Sequence, residues 1–280
     1  MHAHRPLAVG IGIAAIAVIL YVVWRGFQSA DHQGRSPPFT SESTVRASQS
    51  QTQDEAVKTK TDVKDDEYAD RRRRMIEKQL RSRDIVDRRV LEVMQAVQRH
   101  LFVPLRVRES SYRDGPLPIG HDQTISQPYI VALMTQLART RPDAKALDVG
   151  TGSGYQAAVL AKLCKHVYSI EIVGPLATEA KRRLKELGYD NVTVRCGDGY
   201  QGWLEHAPFD LIIVAAAPNH VPQPLVDQLA VGGRLIIPVG KFSQRLTVIE
   251  KLEDGSIREM NVIPVVFVPM TGEAQKRDKS

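Results

Sequence analysis

Apolar and polar positions follow four different patterns along the chain, and each pattern predicts a different kind of segment. Residues 7–24 are apolar without interruption and carry no formal charge. A helix of that length, rising ~1.5 Å per residue, spans roughly 27 Å, close to the hydrocarbon thickness of a bilayer. Pro6 suits a helix start, and Tyr21 and Trp24 fall where an interfacial aromatic belt belongs. The run therefore predicts one transmembrane anchor. Two alternatives compete with it. Tyr21-Val22-Val23-Trp24 is a poor cleavage site for a secretory signal, although Ser29-Ala30 lies close by. A buried core helix would have nothing to pack on, because the next segment is polar. Residues 25–70 are rich in Ser, Thr, Gln, Asp and Lys, and predict a flexible linker that buries too little apolar surface to offset the entropy of ordering.

Residues 71–272 predict one domain. Met75, Ile76 and Leu80 recur at helical spacing, as do Val90, Leu91, Met94 and Val97, until Pro104 stops the pattern. Residues 112–127, with their Pro and Gly, predict a loop, and 130–137 a helix. Beyond Lys145 the rhythm becomes strand, Gly-rich turn, helix, strand. Strands are predicted at 146–149, 166–170, 192–195, 211–214 and 234–238, and helices at 155–163 and 175–187. This alternation predicts an α/β domain with a Rossmann-like, doubly wound, mostly parallel sheet beneath an N-terminal helical cap. Residues 246–252 and 257–268 flank Asp254-Gly255, a hairpin signal that predicts antiparallel strands at the C-terminal end. Residues 273–280 read as a charged tail.

Composition changes this picture little. The net charge is +6 in 280 residues, with Arg71-Arg72-Arg73-Arg74 following an acidic run at 62–70. A solvated helix face or contact with anionic lipid accounts for that cluster as well as nucleic acid does. Two cysteines, Cys164 and Cys196, make neither a disulfide framework nor a metal site and read as small buried hydrophobes. Around the apolar run, Arg5 precedes and Arg25 and Arg35 follow, so loop charge gives almost no preference for orientation.

The candidate chemistry begins at Leu147-Asp148-Val149-Gly150-Thr151-Gly152-Ser153-Gly154-Tyr155. Glycines at alternate positions after a strand let the backbone turn sharply and approach a ligand, and the helix that follows offers unpaired N–H groups. Asp148, Gly150, Thr151, Gly152 and Ser153 are thus candidate cofactor contacts. The spacing is not the Gly-x-Gly-x-x-Gly of dinucleotide binders, and no Lys follows as a triphosphate loop requires. Glu171 ends the second strand about 20 residues on, where a carboxylate accepts both hydroxyls of a ribose. Asp198, in Gly197-Asp198-Gly199 after the third strand, stands where an acidic group bonds an adenine amino group. Three acceptors after three successive strands describe a pocket for a nucleoside joined to an amino acid.

The chain from about residue 71 to residue 271 resembles the protein-L-isoaspartate O-methyltransferase family, a class of S-adenosylmethionine-dependent methyltransferase. The resemblance is carried by Gln98-Arg99-His100-Leu101-Phe102-Val103-Pro104, Tyr112-Arg113-Asp114-Gly115-Pro116-Leu117-Pro118-Ile119-Gly120 and Gln123-Thr124-Ile125-Ser126-Gln127-Pro128. The Gly loop, Gly197-Asp198-Gly199, Ala215-Ala216-Ala217-Pro218, Gly232-Gly233-Arg234-Leu235 and Phe267-Val268-Pro269-Met270 continue it in order. It implies methyl transfer from S-adenosylmethionine, without a metal, to the free α-carboxylate of L-isoaspartyl residues in damaged proteins. The ester then closes to a succinimide that hydrolyses partly to normal aspartate. By the same resemblance Thr124, Ile125 and Ser126 line the active site, with Ser126 at the catalytic position. Ser153, Glu171, Ile172, Asp198, Gly199 and Thr271 fall at cofactor positions. The family also implies that the last strands depart from the usual methyltransferase order.

One departure from the family pattern is Asp122, where many relatives carry Gly in Ile-Gly-x-Gly-Gln-Thr. Asp tolerates unusual backbone angles, but it places negative charge near a site for an anionic substrate. A carboxylate nucleophile is ionised at neutral pH, so no general base is needed and none is apparent. Ser126 is expected to orient that carboxylate by a hydrogen bond. Two rival functions are disfavoured. Methylation of nucleic acid or a small molecule lacks support, since Ala215-Ala216-Ala217-Pro218 replaces the Asn/Asp-Pro-Pro-aromatic segment of amino-group methylation and neither cysteine follows proline. An inactive tethered binding module has only Asp122 in its favour. The implied partners are isoaspartyl proteins and the membrane, with no nucleic acid. Because the methyl donor is made in the cytosol, the domain is expected to face the cytoplasm, with export as the alternative if residues 7–24 act as a signal.

Overall fold

A computed structural model describes residues 68–277. The predicted anchor at 7–24 lies outside the described residues, as does all of the predicted linker except its last three positions. Those three are helical. The helix includes Tyr68, whose ring stacks on His100 at 4.1 Å between centroids and whose hydroxyl donates to Glu109 Oε1 at 2.7 Å. An aromatic ring buried this way fixes the chain earlier than composition suggests, so residues 68–70 belong to the folded domain and not to the predicted linker.

The cap continues through π-helical turns at Ile76–Arg81 and helix α1 (Arg88–Ala96), whose N-cap Asp87 accepts from the backbone N–H groups of Arg89 and Val90. Its floor holds Arg99, fully buried, with Nε donating to Ser111 O at 2.7 Å and the guanidinium 5.0 Å from the Tyr155 ring centroid. Residues 112–127 are not the plain loop that their Pro and Gly content predicts. They contain a hairpin, β1 (Leu117–Gly120) and β2 (Gln123–Ile125), joined by His121-Asp122. Both loop residues have positive φ, 53° and 55°. A two-residue hairpin loop demands that geometry, and Asp adopts it more readily than most side chains, which is how the chain tolerates Asp122. Helix α2 (Pro128–Leu137) follows, with Pro128 in its first turn.

The remaining strands and α-helices are β3 (Lys145–Val149), α3 (Tyr155–Ala161), β4 (His166–Glu171), α4 (Gly174–Glu186), β5 (Val192–Cys196), β6 (Phe209–Val214), α5 (Gln223–Asp227), β7 (Leu229–Val239), β8 (Gln244–Lys251), β9 (Ile257–Val265) and α6 (Glu273–Arg277). The strands form a seven-stranded sheet in the order β5-β4-β3-β6-β7-β8-β9. The first five neighbours pair in parallel, and β8 and β9 add in antiparallel fashion as a chain-order meander. Apolar runs build this sheet because successive residues face opposite sides and both sides are covered. Ala146, Leu211, Ile213 and Ile236 join one buried cluster, while Leu147, Val149, Ile212, Val214, Leu235 and Ile237 join the other. Arg234 and Glu250, directly opposite across β7 and β8, pair at 3.1 Å.

The chain order reverses on either side of β3, so the crevice beyond its carboxyl end is the switch point where open α/β sheets bind ligands. The predicted tail is another correction: 273–277 is helix α6, with Ala274 buried against the core. Cys164 is buried as expected, whereas Cys196 is exposed because it ends an edge strand; both are free.

The strained hairpin loop yields a stability prediction. Asp122→Val should cost about 1–2 kcal/mol, since a branched Cβ opposes positive φ, while Asp122→Gly should be neutral or slightly stabilising. Urea midpoints of the purified chain measure both. Equal midpoints for Val and Asp would contradict the loop geometry.

Candidate functional site

The Gly-x-Gly-x-Gly segment turns off the end of β3 into α3 with φ of 92°, 52° and 89° at Gly150, Gly152 and Gly154. All three values lie where side chains are disfavoured, which is why the glycines alternate there. Backbone bonds then shape the loop: Gly150 and Thr151 N–H donate to Ile170 O at 2.8 and 3.2 Å, and Gly154 N–H to Thr151 O at 2.8 Å.

Glu171, at the end of β4, completes the loop. Its Oε2 accepts from Gly152 N–H at 2.7 Å and its Oε1 from Val173 N–H at 2.9 Å, and the residue is 5% exposed. Each carboxylate oxygen has a further lone pair for a ligand hydroxyl. Asp198 has a comparable double duty. Oδ1 accepts from Tyr200 N–H at 2.9 Å, and Oδ2 accepts from Glu273 N–H at 2.7 Å, which ties the start of α6 to the site. Beside it Gly199 crosses Val149 so closely that a Cβ would collide with the valine Cγ1.

The C-terminal segment arrives through a short bridge. Ala217 N–H donates to Val268 O and Met270 N–H to Ala217 O, both at 2.8 Å, which carries Thr271 to the cleft. From the other side β2 delivers Thr124 and Ile125, with Ser126 immediately after it. This loop is braced from the cap: Gln127 Nε2 donates to Asp114 Oδ1 at 2.8 Å, Asp114 also pairs with Arg83, and Tyr129 OH donates to Asp84 Oδ1 at 2.8 Å.

One cleft thus gathers Thr124, Ile125, Ser126, Gly150, Thr151, Gly152, Ser153, Glu171, Ile172, Asp198, Gly199 and Thr271. Of the candidates named from sequence, the structure leaves out only Asp148. Its side chain is fully buried beneath the loop: Ser169 Oγ donates to Asp148 Oδ2 at 2.7 Å, and the Ser169 and Thr151 hydroxyls bond at 2.6 Å. A residue within a strand points across the sheet and not off its end, so Asp148 supports Thr151 instead of lining the cleft. Burial pushes its carboxyl up to about 7, against the lowering effect of the Ser169 bond, and the charge of Glu171 adds to the rise. Sequence reasoning missed this relay. Its signal was Ser169, a hydroxyl within the apolar run of β4 that needed a partner. Among the described residues no group of three or more His, Cys, Asp or Glu could hold a metal.

Comparison with known proteins follows the same lines. The family model described as Protein-L-isoaspartate(D-aspartate) O-methyltransferase matches residues 70–275. A Polaromonas protein named protein-L-isoaspartate O-methyltransferase 2 is 57% identical over 190 residues, covering 67% of this chain and 90% of that protein. A Gloeobacter violaceus protein named protein-L-isoaspartate O-methyltransferase is 57% identical over 201 residues, covering 71% of this chain and 98% of that protein. Among solved structures, a Plasmodium falciparum beta-aspartate methyltransferase in complex with S-adenosyl-L-homocysteine matches with a TM-score of 0.63 at 30% identity, covering 71% of this chain and 98% of the other.

The buried relay predicts a pH effect. Folding raises the Asp148 carboxyl from 3.8 to about 7, so between about pH 4 and about pH 7 the folded state holds more protons than the unfolded one. Its contribution to stability is therefore lost as pH rises through that window. Asp148→Asn abolishes this titration and should gain on the order of 2 kcal/mol relative to wild type between about pH 5 and about pH 8. Urea unfolding at both pH values reads the difference, and parallel profiles for the two proteins would contradict it.

Proposed function

This chain belongs to the protein-L-isoaspartate(D-aspartate) O-methyltransferase family, and we infer that it moves a methyl group from S-adenosylmethionine to the free α-carboxylate of L-isoaspartyl residues in damaged proteins. The observation that carries this reading is the meeting of the Thr124-Ile125-Ser126 loop with the glycine loop, Glu171, Asp198 and Thr271 in one cleft.

The residues present fit the donor. Glu171 offers lone pairs to a ribose and Asp198 to an adenine amino group. Gly199 packs directly on Val149, with no room for a Cβ between them, and both residues line the cleft beside Glu171 and Asp198. When bound, S-adenosylmethionine supplies an electrophilic methyl group on a sulfonium centre. The substrate carboxylate, with an ordinary pKa of about 3.5, is ionised at neutral pH and needs no base to activate it. Its oxygen bonds to the methyl carbon as the carbon–sulfur bond breaks, no proton is transferred, and S-adenosylhomocysteine leaves. The chain's part is alignment and the exclusion of water, because opposite charges neutralise each other along this path and water would stabilise the separated state. Ser126 donates a hydrogen bond that orients the carboxylate, and the Asp114–Gln127 brace holds the loop that carries it.

We further propose that residues 7–24 anchor the enzyme in a membrane with the domain in the cytoplasm, where the methyl donor is made. The uninterrupted apolar run with its flanking aromatics supports this. Among the described residues no helix is long and apolar enough to cross a membrane, so the anchor rests on this run alone.

Two outcomes are expected. Ser126→Ala should lower turnover of an isoaspartyl peptide by up to about 100-fold while binding of S-adenosylhomocysteine is unchanged, as loss of a group that positions the reacting atoms does; full turnover would remove Ser126 from the mechanism. In cell fractionation the full chain should stay with membranes through alkaline carbonate washing, and deletion of residues 7–24 should release it. Release of the intact chain by the wash would exclude the anchor.

A further inference from the structure

Strand β7 runs parallel to β6, so its carboxyl end lies on the same sheet edge as those of β3 and β4, where the cleft opens. The turn that follows, residues 240–243, therefore stands at the lip of the cleft. Two contacts fix it there. Gly240 N–H donates to Pro218 O at 2.9 Å, two residues past Ala216, which with Ala215 lines the cleft. At the other end Gln244 clamps the backbone of Phe267: Nε2 donates to Phe267 O at 3.1 Å, and Phe267 N–H donates to Oε1 at 2.6 Å. The next residue, Val268, is cleft wall.

This braced lip carries two large apolar side chains that face water. Phe242 is 95% exposed and Val266 is 87% exposed. Gln244 pairs with Val265 across β8 and β9, so Val266 continues alongside the turn that bears Phe242. Cations accompany them: Lys241 Nζ lies 5.7 Å from the Phe242 ring centroid, and Arg245 is exposed one residue past Gln244. Leaving a whole phenyl ring and a valine in water has no benefit to folding. Their firm attachment to the cleft wall points to a use for them there.

We propose that Phe242 and Val266 form a docking ledge for the substrate polypeptide beside its isoaspartyl residue. The ledge covers an apolar side chain of the flanking sequence, while Lys241 and Arg245 attract the anionic segment. This inference rests on the methyl-transfer reading above. The occupant is an extended substrate segment because Val266 stands two residues before Val268 of the cleft wall and Gln244 ties the turn bearing Phe242 to Phe267 between them, beside the cleft in which that segment's carboxylate must sit. Such a ledge selects damaged sites in exposed, unfolded stretches that show apolar neighbours, which a well-packed protein keeps inside.

The test compares two isoaspartyl hexapeptides, one with Leu and Phe flanking the damaged residue and one with Gly and Ser in the same places. Wild-type full-length chain is set against Phe242→Ser/Val266→Ser. The double variant should lose about 5- to 20-fold in kcat/KM for the apolar-flanked peptide, mainly through KM, and less than about twofold for the other. Because the result is a ratio within one preparation, partial misfolding cannot imitate it. Equal losses on both peptides, or none on either, overturn the ledge. Sedimentation that shows a wild-type dimer turned monomeric by the double variant assigns the surface to a second copy of the chain and also overturns it. Failure of the wild-type chain to methylate either peptide overturns the methyl-transfer reading instead.

Discussion

The carboxylate of Glu171 holds two loops at once, and the site depends on that double hold. One oxygen accepts Gly152 N–H from the loop after β3, and the other accepts Val173 N–H at the entry to α4. Neighbouring parallel strands are thereby locked together at their carboxyl ends, where peptide groups would otherwise be left without partners. A buried acceptor with two donors is rigid, and its remaining lone pairs are aimed by the same constraint. The glycine loop supplies shape and Glu171 its anchor, with lone pairs left over for the ligand contact proposed above.

The proposed substrate side is built differently. Ser126 sits just past a short hairpin with two strained residues at its tip, and the cap holds this loop through Arg83, Asp114 and Gln127. Ordering in this half comes from side-chain pairs that are largely exposed and so individually weak. The cofactor half is set by sheet pairing and burial. A methyl donor of one fixed structure suits a rigid pocket, while protein substrates of many sequences suit a loop held by modest forces and a lip with exposed apolar groups.

Much of this was legible in the sequence because the relevant forces are local or periodic. Apolar runs such as Leu211-Ile212-Ile213-Val214 read as buried parallel strands, and the Gly alternation after Val149 read as a ligand turn, since each pattern has one physical cause. The errors share another cause: contacts between residues far apart in sequence. Tyr68 is ordered by His100 and Glu109, α6 by Asp198 and the core around Ala274, and the β1–β2 hairpin by pairing that Pro118 disguises. Asp148 looked like a ligand contact because it adjoins the loop in sequence, yet strand geometry turns it beneath the sheet edge towards Ser169. Proximity along the chain is a poor guide to which side of a strand end a residue serves.

The central claim is that Glu171 both shapes the loop and reads the ribose of an adenosyl ligand. Titration calorimetry with S-adenosylhomocysteine and its 2′-deoxyribose analogue, on wild type and Glu171→Gln, tests it most directly. Wild type should bind the natural ligand about 10- to 100-fold more tightly than the deoxy analogue, and the variant should lose most of that preference. Equal binding of both ligands by wild type, or no uptake of either, would contradict the account.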